Sequence, residues 1–261
     1  MLTSTFVHLA GIGPSTERRL WQHGVREWST FLQEPEVPGI SPGRKALYDG
    51  QLLAAQAALD QGDAAYFARC LHSRDHWRLF HTFGARALYL DIETTGTSAQ
   101  EGAVTVVGLY RSGRMTTLIR HDSLSQERLQ EAIDASDLLI TFFGSVFDVP
   151  YLKTQFPGLR VELPHFDLCF AARRLGLQGG LKQIERELDI TRADDLQGLD
   201  GWEAVQLWQR HCSGDEDALD RLVRYNEADT KNLEPLAVMV YEQLVAQYGP
   251  PAATTFGTGT R

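Results

Sequence analysis

Over roughly the first 80 residues, apolar positions recur at three- and four-residue intervals and no stretch alternates apolar with polar. The segments STERRLWQHG and KALYDGQLLAAQAAL predict helices, separated by a loop carrying Pro35, Pro38 and Pro42. From Ala87 the period changes to two: ALYLDIE, AVTVVGLYR and RMTTLIR read as strands, and their Gly- and Ser-containing separators suit an antiparallel meander. A helical SQERLQEAIDAS follows, then a buried-type strand DLLITFF, then helices with Leu and Val at helical spacing up to Ala246. Strands followed by a strand among helices predict an α/β class. The expected organisation is a helical module over residues 1–80, an α/β domain over 81–248 and a disordered Gly-, Pro- and Thr-rich tail over 249–261. No internal repeat is visible.

Composition changes this picture little. A chain of 261 residues, 43% hydrophobic and 23% charged, has material for one large domain with a small appendage. The N-terminal MLTSTFVHLAG has neither a basic region nor a long apolar one, and no window is long enough to span a bilayer, so no membrane partner and a cytoplasmic location are expected. Cys70, Cys169 and Cys212 lack CxxC spacing, which argues against a disulfide framework or a structural zinc site. A formal charge of −9 requires that any contact with nucleic acid come from local patches, with cations offsetting acidic residues.

The candidate chemistry is acidic. In YLDIETTG, Asp91 and Glu93 lie two apart on a strand and so point to one face, with Ile92 turned to the core. Side-by-side anions repel unless they are solvated, share a proton or hold a cation. TFFGSVFDVPYL places Asp148 after a strand and a Gly turn, HFDLCFAARRLG offers Asp167, and RLVRYNEADTKNLEPL sets Tyr225 and Asp229 four apart on one helical face. Singly, Asp148 reads as a helix cap, Asp167 as a turn residue and Asp229 as a solvated charge. Jointly, a D-x-E strand with distant aspartates meets the need of hard divalent cations for oxygen ligands from several elements.

DIETTG, FFGSVFDVPYL and YNEAD resemble, in order and spacing, the three motifs of the DEDD (DnaQ-like) superfamily of RNase H-like 3′–5′ exonucleases, with a tyrosine-type third motif. HFDLCFAARRLG and GGLKQIERELDITRADDLQG further resemble the YprB-like branch. The resemblance implies an RNase H-like three-layer fold, a mixed sheet of antiparallel meander plus parallel strands flanked by helices. It also implies that Asp91, Glu93, Asp148 and Asp229 hold two Mg²⁺ or Mn²⁺ ions and that Tyr225 orients the attacking water. The implied activity is phosphodiester hydrolysis at single-stranded DNA or RNA ends. The chain departs from the pattern at Phe143, where this branch usually carries asparagine. That ring is a candidate for stacking on a base, with a core phenylalanine as the plain alternative. Thr94 and Thr95 of the turn, and Lys182 and Arg192 of the stretch between the second and third motifs, are candidate contacts to the strand.

The helical module carries a second pointer to nucleic acid. In HLAGIGPSTERRLWQHG a Gly-Ile-Gly turn runs straight into a helix start and resembles a helix-hairpin-helix motif, with Gly11 and Gly13 offering amides to a phosphate and Arg18 and Arg19 adding charge. A plain turn with Pro14 at the first helical position and Ile12 in a small core accounts for the same residues. The reading that competes with an exonuclease is an RNase H-like adaptor that binds nucleic acid without cutting it.

Overall fold

The computed structural model describes residues 1–191 and 201–251. The N-terminal segment is helical as its periodicity predicts: α1 (Pro14–Gln22), α2 (Trp28–Gln33), α3 (Pro42–Asp60) and α4 (Ala64–Cys70), then a 3₁₀ turn (Ser73–Leu79) and the short α5 (Phe80–Phe83). Pro14 and Pro42 open α1 and α3, where a missing N–H costs nothing. The meander follows as β1 (Ala87–Thr94), β2 (Val104–Arg111) and β3 (Arg114–Ile119). Next come α6 (Gln126–Asp134), whose Ser125 accepts the Arg128 N–H as N-cap, and β4 (Leu138–Thr141). After α7 (Asp148–Gln155) the chain forms β5 (His165–Asp167), and then α8 (Leu168–Arg174), α9 (Leu181–Glu187), α10 (Gly201–Cys212) and the 33-residue α11 (Glu216–Tyr248).

Among the described residues the strands form one sheet in the order β3-β2-β1-β4-β5, antiparallel through the meander and parallel from β1 to β5. This is the mixed sheet of an RNase H-like fold. Alternation along β1 sorts its side chains between two layers. Leu88, Leu90 and Ile92 pack with α6 and α7 on one face, while Ala87 and Tyr89 pack with α8, α11 and the N-terminal helices on the other. Asp91 and Glu93 continue the second series, which aims both carboxylates at α11.

That second core is continuous across residue 80. Trp77 and Phe80 lie against Tyr241, with ring centroids 6.2 and 5.3 Å apart, and Phe80 also meets Phe166 of β5. Glu17 and Arg78, both almost fully buried, form a two-point ion pair within the helical segment, and Glu17 also accepts the Phe6 N–H. The proposed boundary between module and domain therefore runs through packed side chains.

One strand escapes sequence reading. The expectation of helices alone after DLLITFF omits β5, because three residues are too short to display a period of two. Of the tail expected over 249–261, residues 252–261 lie outside the described residues; α11 itself ends at Tyr248.

Candidate active site

β4 pairs only with Ala87, Leu88 and Tyr89, so beyond Tyr89, toward its acidic end, β1 keeps β2 on one edge, with a register shift between Glu93 and Thr94, while its other edge has no partner strand among the described residues. α11 crosses that end closely. It can do so because β2 carries Gly108 opposite Asp91: a methyl group there would collide with Thr230 Oγ1 and Asn226 Oδ1. Asn226, fully buried, donates through Nδ2 to Asp91 Oδ2 at 2.9 Å and also bonds the Glu93 carboxylate.

The carboxylates of Asp91, Glu93 and Asp229 offer oxygens that all lie within 4.8 Å of one another. Asp148 stands outside that tight group but lines the same cleft of about 600 Å³, together with Tyr225, Thr94, Phe143 and the exposed Trp202. It is held by the start of α7 and by the Ile92 amide. Burial raises the Glu93 pKa well above the carboxylate range; Asp229 and Asp148 push it further, while Asn226 and Lys182 oppose them. Burial likewise carries Asp148 to about 7. Burial, with the anions around it, raises Tyr225 far above an ordinary phenol, so its hydroxyl stays protonated and hydrogen-bonds to Asp229. Lys182, near the start of α9, places Nζ 4.4 Å from the centre of the Tyr225 ring.

The tight group offers hard oxygens from β1 and α11, without a thiolate or imidazole, which suits Mg²⁺ or Mn²⁺. Buried carboxylates that raise one another's pKa are also what a cation would relieve.

The profile of the RNase_H superfamily matches residues 88–241, more than half of the chain and the whole of this site. The chain belongs to the RNase_H superfamily. Bacillus subtilis (strain 168) YprB, itself uncharacterized, is 27% identical over 199 residues, which cover 66% of this chain and 48% of YprB; the chain thus spans about half the length of that relative. A family B DNA polymerase from the archaeon Pyrobaculum calidifontis shares the fold over 62% of this chain and 25% of its own, at 14% identity and a TM-score of 0.53. Brucella melitensis NrnC bound to pGG is similar at 20% identity and a TM-score of 0.48 over 66% of this chain and 79% of that one.

In this RNase_H-superfamily chain the remaining candidate residues are placed unevenly. Thr94 lines the cleft, but Thr95 turns away, its hydroxyl accepting the Ala103 N–H and so closing the 95–103 loop. Phe143 is not a core residue: it is 37% exposed, on a backbone with φ of +66°. Gly11, with φ of +82°, and Gly13, the N-cap of α1, form the expected turn, and Arg18 and Arg19 are exposed on α1; none of the four lines the cleft. Arg192 lies outside the described residues.

Two residues have roles that the motifs do not announce. Asn226 sits inside YNEAD, three residues before Asp229 and hence on its face of α11, but only the packing shows that it grips both β1 acids. Asp167, a turn residue by sequence, caps α8 through the Cys169 N–H and accepts from Phe143 N, Ser145 N and Ser145 Oγ at 2.9, 3.0 and 2.6 Å. It fixes the turn that delivers Asp148.

Proposed function

We propose that the protein is a two-metal-dependent 3′–5′ exonuclease acting on single-stranded DNA or RNA ends. The observation that carries this reading is the convergence of Asp91, Glu93 and Asp229 within reach of a shared cation, with Asp148 across the same cleft and the Tyr225 hydroxyl on Asp229. Membership of the RNase_H superfamily supports it.

In this reading Asp91, Glu93, Asp148 and Asp229 hold Mg²⁺ or Mn²⁺, which when bound would activate a water and neutralise charge at the phosphoryl oxygens. Tyr225 cannot act as a base, since its phenol keeps its proton; it positions the attacking water by hydrogen bonding. Lys182 adds positive charge beside Glu93 and Tyr225, where the scissile phosphate would lie. Asn226 keeps the β1 acids aimed into the cleft.

The test is incubation of purified protein with 5′- and 3′-labelled single- and double-stranded DNA and RNA, with Mn²⁺, Mg²⁺ or EDTA. A metal-dependent ladder shortening from the 3′ end is expected. Binding without cleavage in all metals would instead identify an adaptor.

A further inference from the structure

We propose that the substrate strand leaves the acidic cleft along an aromatic and basic track that ends on the N-terminal helical segment, so that the protein grips a single-stranded tail of several nucleotides rather than one terminal residue. This rests on the reading of the cleft as the place where the strand's end is held.

The track begins with an unusual investment in exposed apolar surface. Among the described residues, the large hydrophobic side chains left exposed include Phe143, Val146, Phe170 and Trp202, and all four border the cleft or the hollow next to it. Phe143 and Phe170, 37% and 40% exposed, stand 5.9 Å apart centre to centre, and the Arg173 guanidinium lies 6.0 and 5.4 Å from the two rings. Phe143 reaches this position only on a left-handed backbone, which is strained for a residue of its bulk. Asp167 holds it there by accepting the amide hydrogens on both sides of Gly144. Strain spent on presenting a ring to water is unexplained by core packing, whereas two adjacent rings under a guanidinium match the face of an unstacked base and the phosphate beside it.

Beyond Phe170 the surface becomes basic. A hollow of about 370 Å³ lined by Phe170, Val146, Arg74, Arg174 and Asp167, whose carboxylate is taken up by Phe143 and Ser145, adjoins another of about 450 Å³ that shares both arginines and adds Arg18 and Arg78. Four guanidinium groups there face the carboxylates of Glu17 and Asp75. Glu17 is taken up by Arg78, while Asp75 lies 3.4, 3.6 and 3.9 Å from Arg74, Arg78 and Arg174. An excess of positive charge on a chain of formal charge −9 is local, and it lies at the far end of a path that starts among acids. A polyanion with unpaired bases satisfies both ends; a duplex, its base faces already stacked, does not use the rings.

The experiment measures binding of fluorescein-labelled oligothymidylates, a dinucleotide and a dodecamer, by anisotropy in EDTA across a salt series, with Mn²⁺-dependent cleavage of the same oligonucleotides assayed separately. The wild type should bind the dodecamer more tightly than the dinucleotide. Phe170→Ala should weaken dodecamer binding by about 5- to 100-fold, the worth of one base on an aromatic ring, while Phe170→Trp restores it. Arg74→Gln should reduce the slope of log K against log salt by about 0.7. Circular dichroism confirms that each variant is folded. Wild-type cleavage with dodecamer binding indifferent to Phe170→Ala and Arg74→Gln overturns the track and leaves the nuclease standing. Absence of metal-dependent cleavage in the wild type, with binding that still depends on Phe170 and Arg74, overturns the nuclease and keeps the track.

Discussion

Replacing Asp148 by asparagine tests the electrostatics of the cleft without reference to any substrate. The carboxyl is 4% exposed, and its pKa is carried from 3.8 to about 7, chiefly by burial. Between those values the folded protein binds a proton that the unfolded chain does not, so stability falls as pH rises through about 4 to 7, and the loss is complete above about 7. At about 1.4 kcal/mol per pH unit, the ionised group costs the metal-free fold about 4 kcal/mol at pH 8 and less than about 2 kcal/mol at pH 5. Asparagine keeps the shape and can still accept an amide hydrogen, but it never ionises. In EDTA at pH 8, Asp148→Asn should therefore melt several degrees above wild type, given about 2–4 °C per kcal/mol for a chain of this size, and the gap should narrow at pH 5. Millimolar Mn²⁺ should close the gap from the other side, raising the wild-type midpoint by mass action more than that of the variant. Differential scanning calorimetry at the two pH values reads all of this. A gap that is absent at pH 8, or that widens on acidification, refutes the desolvation argument; equal Mn²⁺ stabilisation of both proteins removes Asp148 from the proposed ligands.

Tyr225→Phe should fold normally and slow cleavage about 10- to 100-fold by loosening the water's position, with no shift in the alkaline limb of the pH–rate profile, because the phenol is not the titrating group. Gly108→Ala should cost about 1–3 kcal/mol in chemical denaturation and abolish stabilisation by Mn²⁺, since the added methyl drives Asn226 and Thr230 away from β1. A chain beginning near residue 80 should be unfolded or aggregated by circular dichroism and size exclusion: it uncovers Tyr241 where Trp77 packed and removes the His76 ring that accepts the His165 N–H of β5. A soluble, cooperative fragment with wild-type activity would show the helical segment to be a separate domain.

Much of this was legible from local pattern. Period two along ALYLDIE predicted both β1 and the shared face of Asp91 and Glu93, and helical spacing in SQERLQEAIDAS predicted α6. What pattern could not show is contact at a distance. Asp167 is bonded to residues 22 and 24 positions earlier, so its part in shaping the Phe143–Ser145 turn has no local signature. Asn226 reaches back 135 residues to Asp91, and the Glu17–Arg78 pair spans 61. For the same reason the first 80 residues read as a detachable module: periodicity gives each helix its apolar stripe but not the surface that covers it. Phe143 is the reverse case. Its neighbour Phe142 allowed a core position, and only the backbone, with φ of +66°, turns it outward.

The helical segment also reaches the cleft through polar groups. His76 Nδ1, on the 3₁₀ turn, accepts the backbone N–H of His165, which fixes the proton of the His76 ring on Nε2, facing the Leu71 carbonyl. His165 in turn meets Thr141 Oγ1 through Nε2 at 2.8 Å, and Thr141 Oγ1 accepts the N–H of Gly144. Burial lowers both imidazoles, His165 to about 4, so each stays neutral at physiological pH and the bonding pattern does not switch. Gly144 is packed against Thr141 so tightly that no β-carbon fits, and Asp167 secures the residues on either side of it. The turn before Asp148 is thus held from β4, β5 and, through His76, from the N-terminal helices. In the proposed site this carboxylate, destabilised by burial and by the neighbouring Asp167, needs support of this kind. A cation held there, as proposed, would offset this: it would favour the ionised forms of Asp148 and Glu93, so its affinity would rise with pH and its binding would release protons.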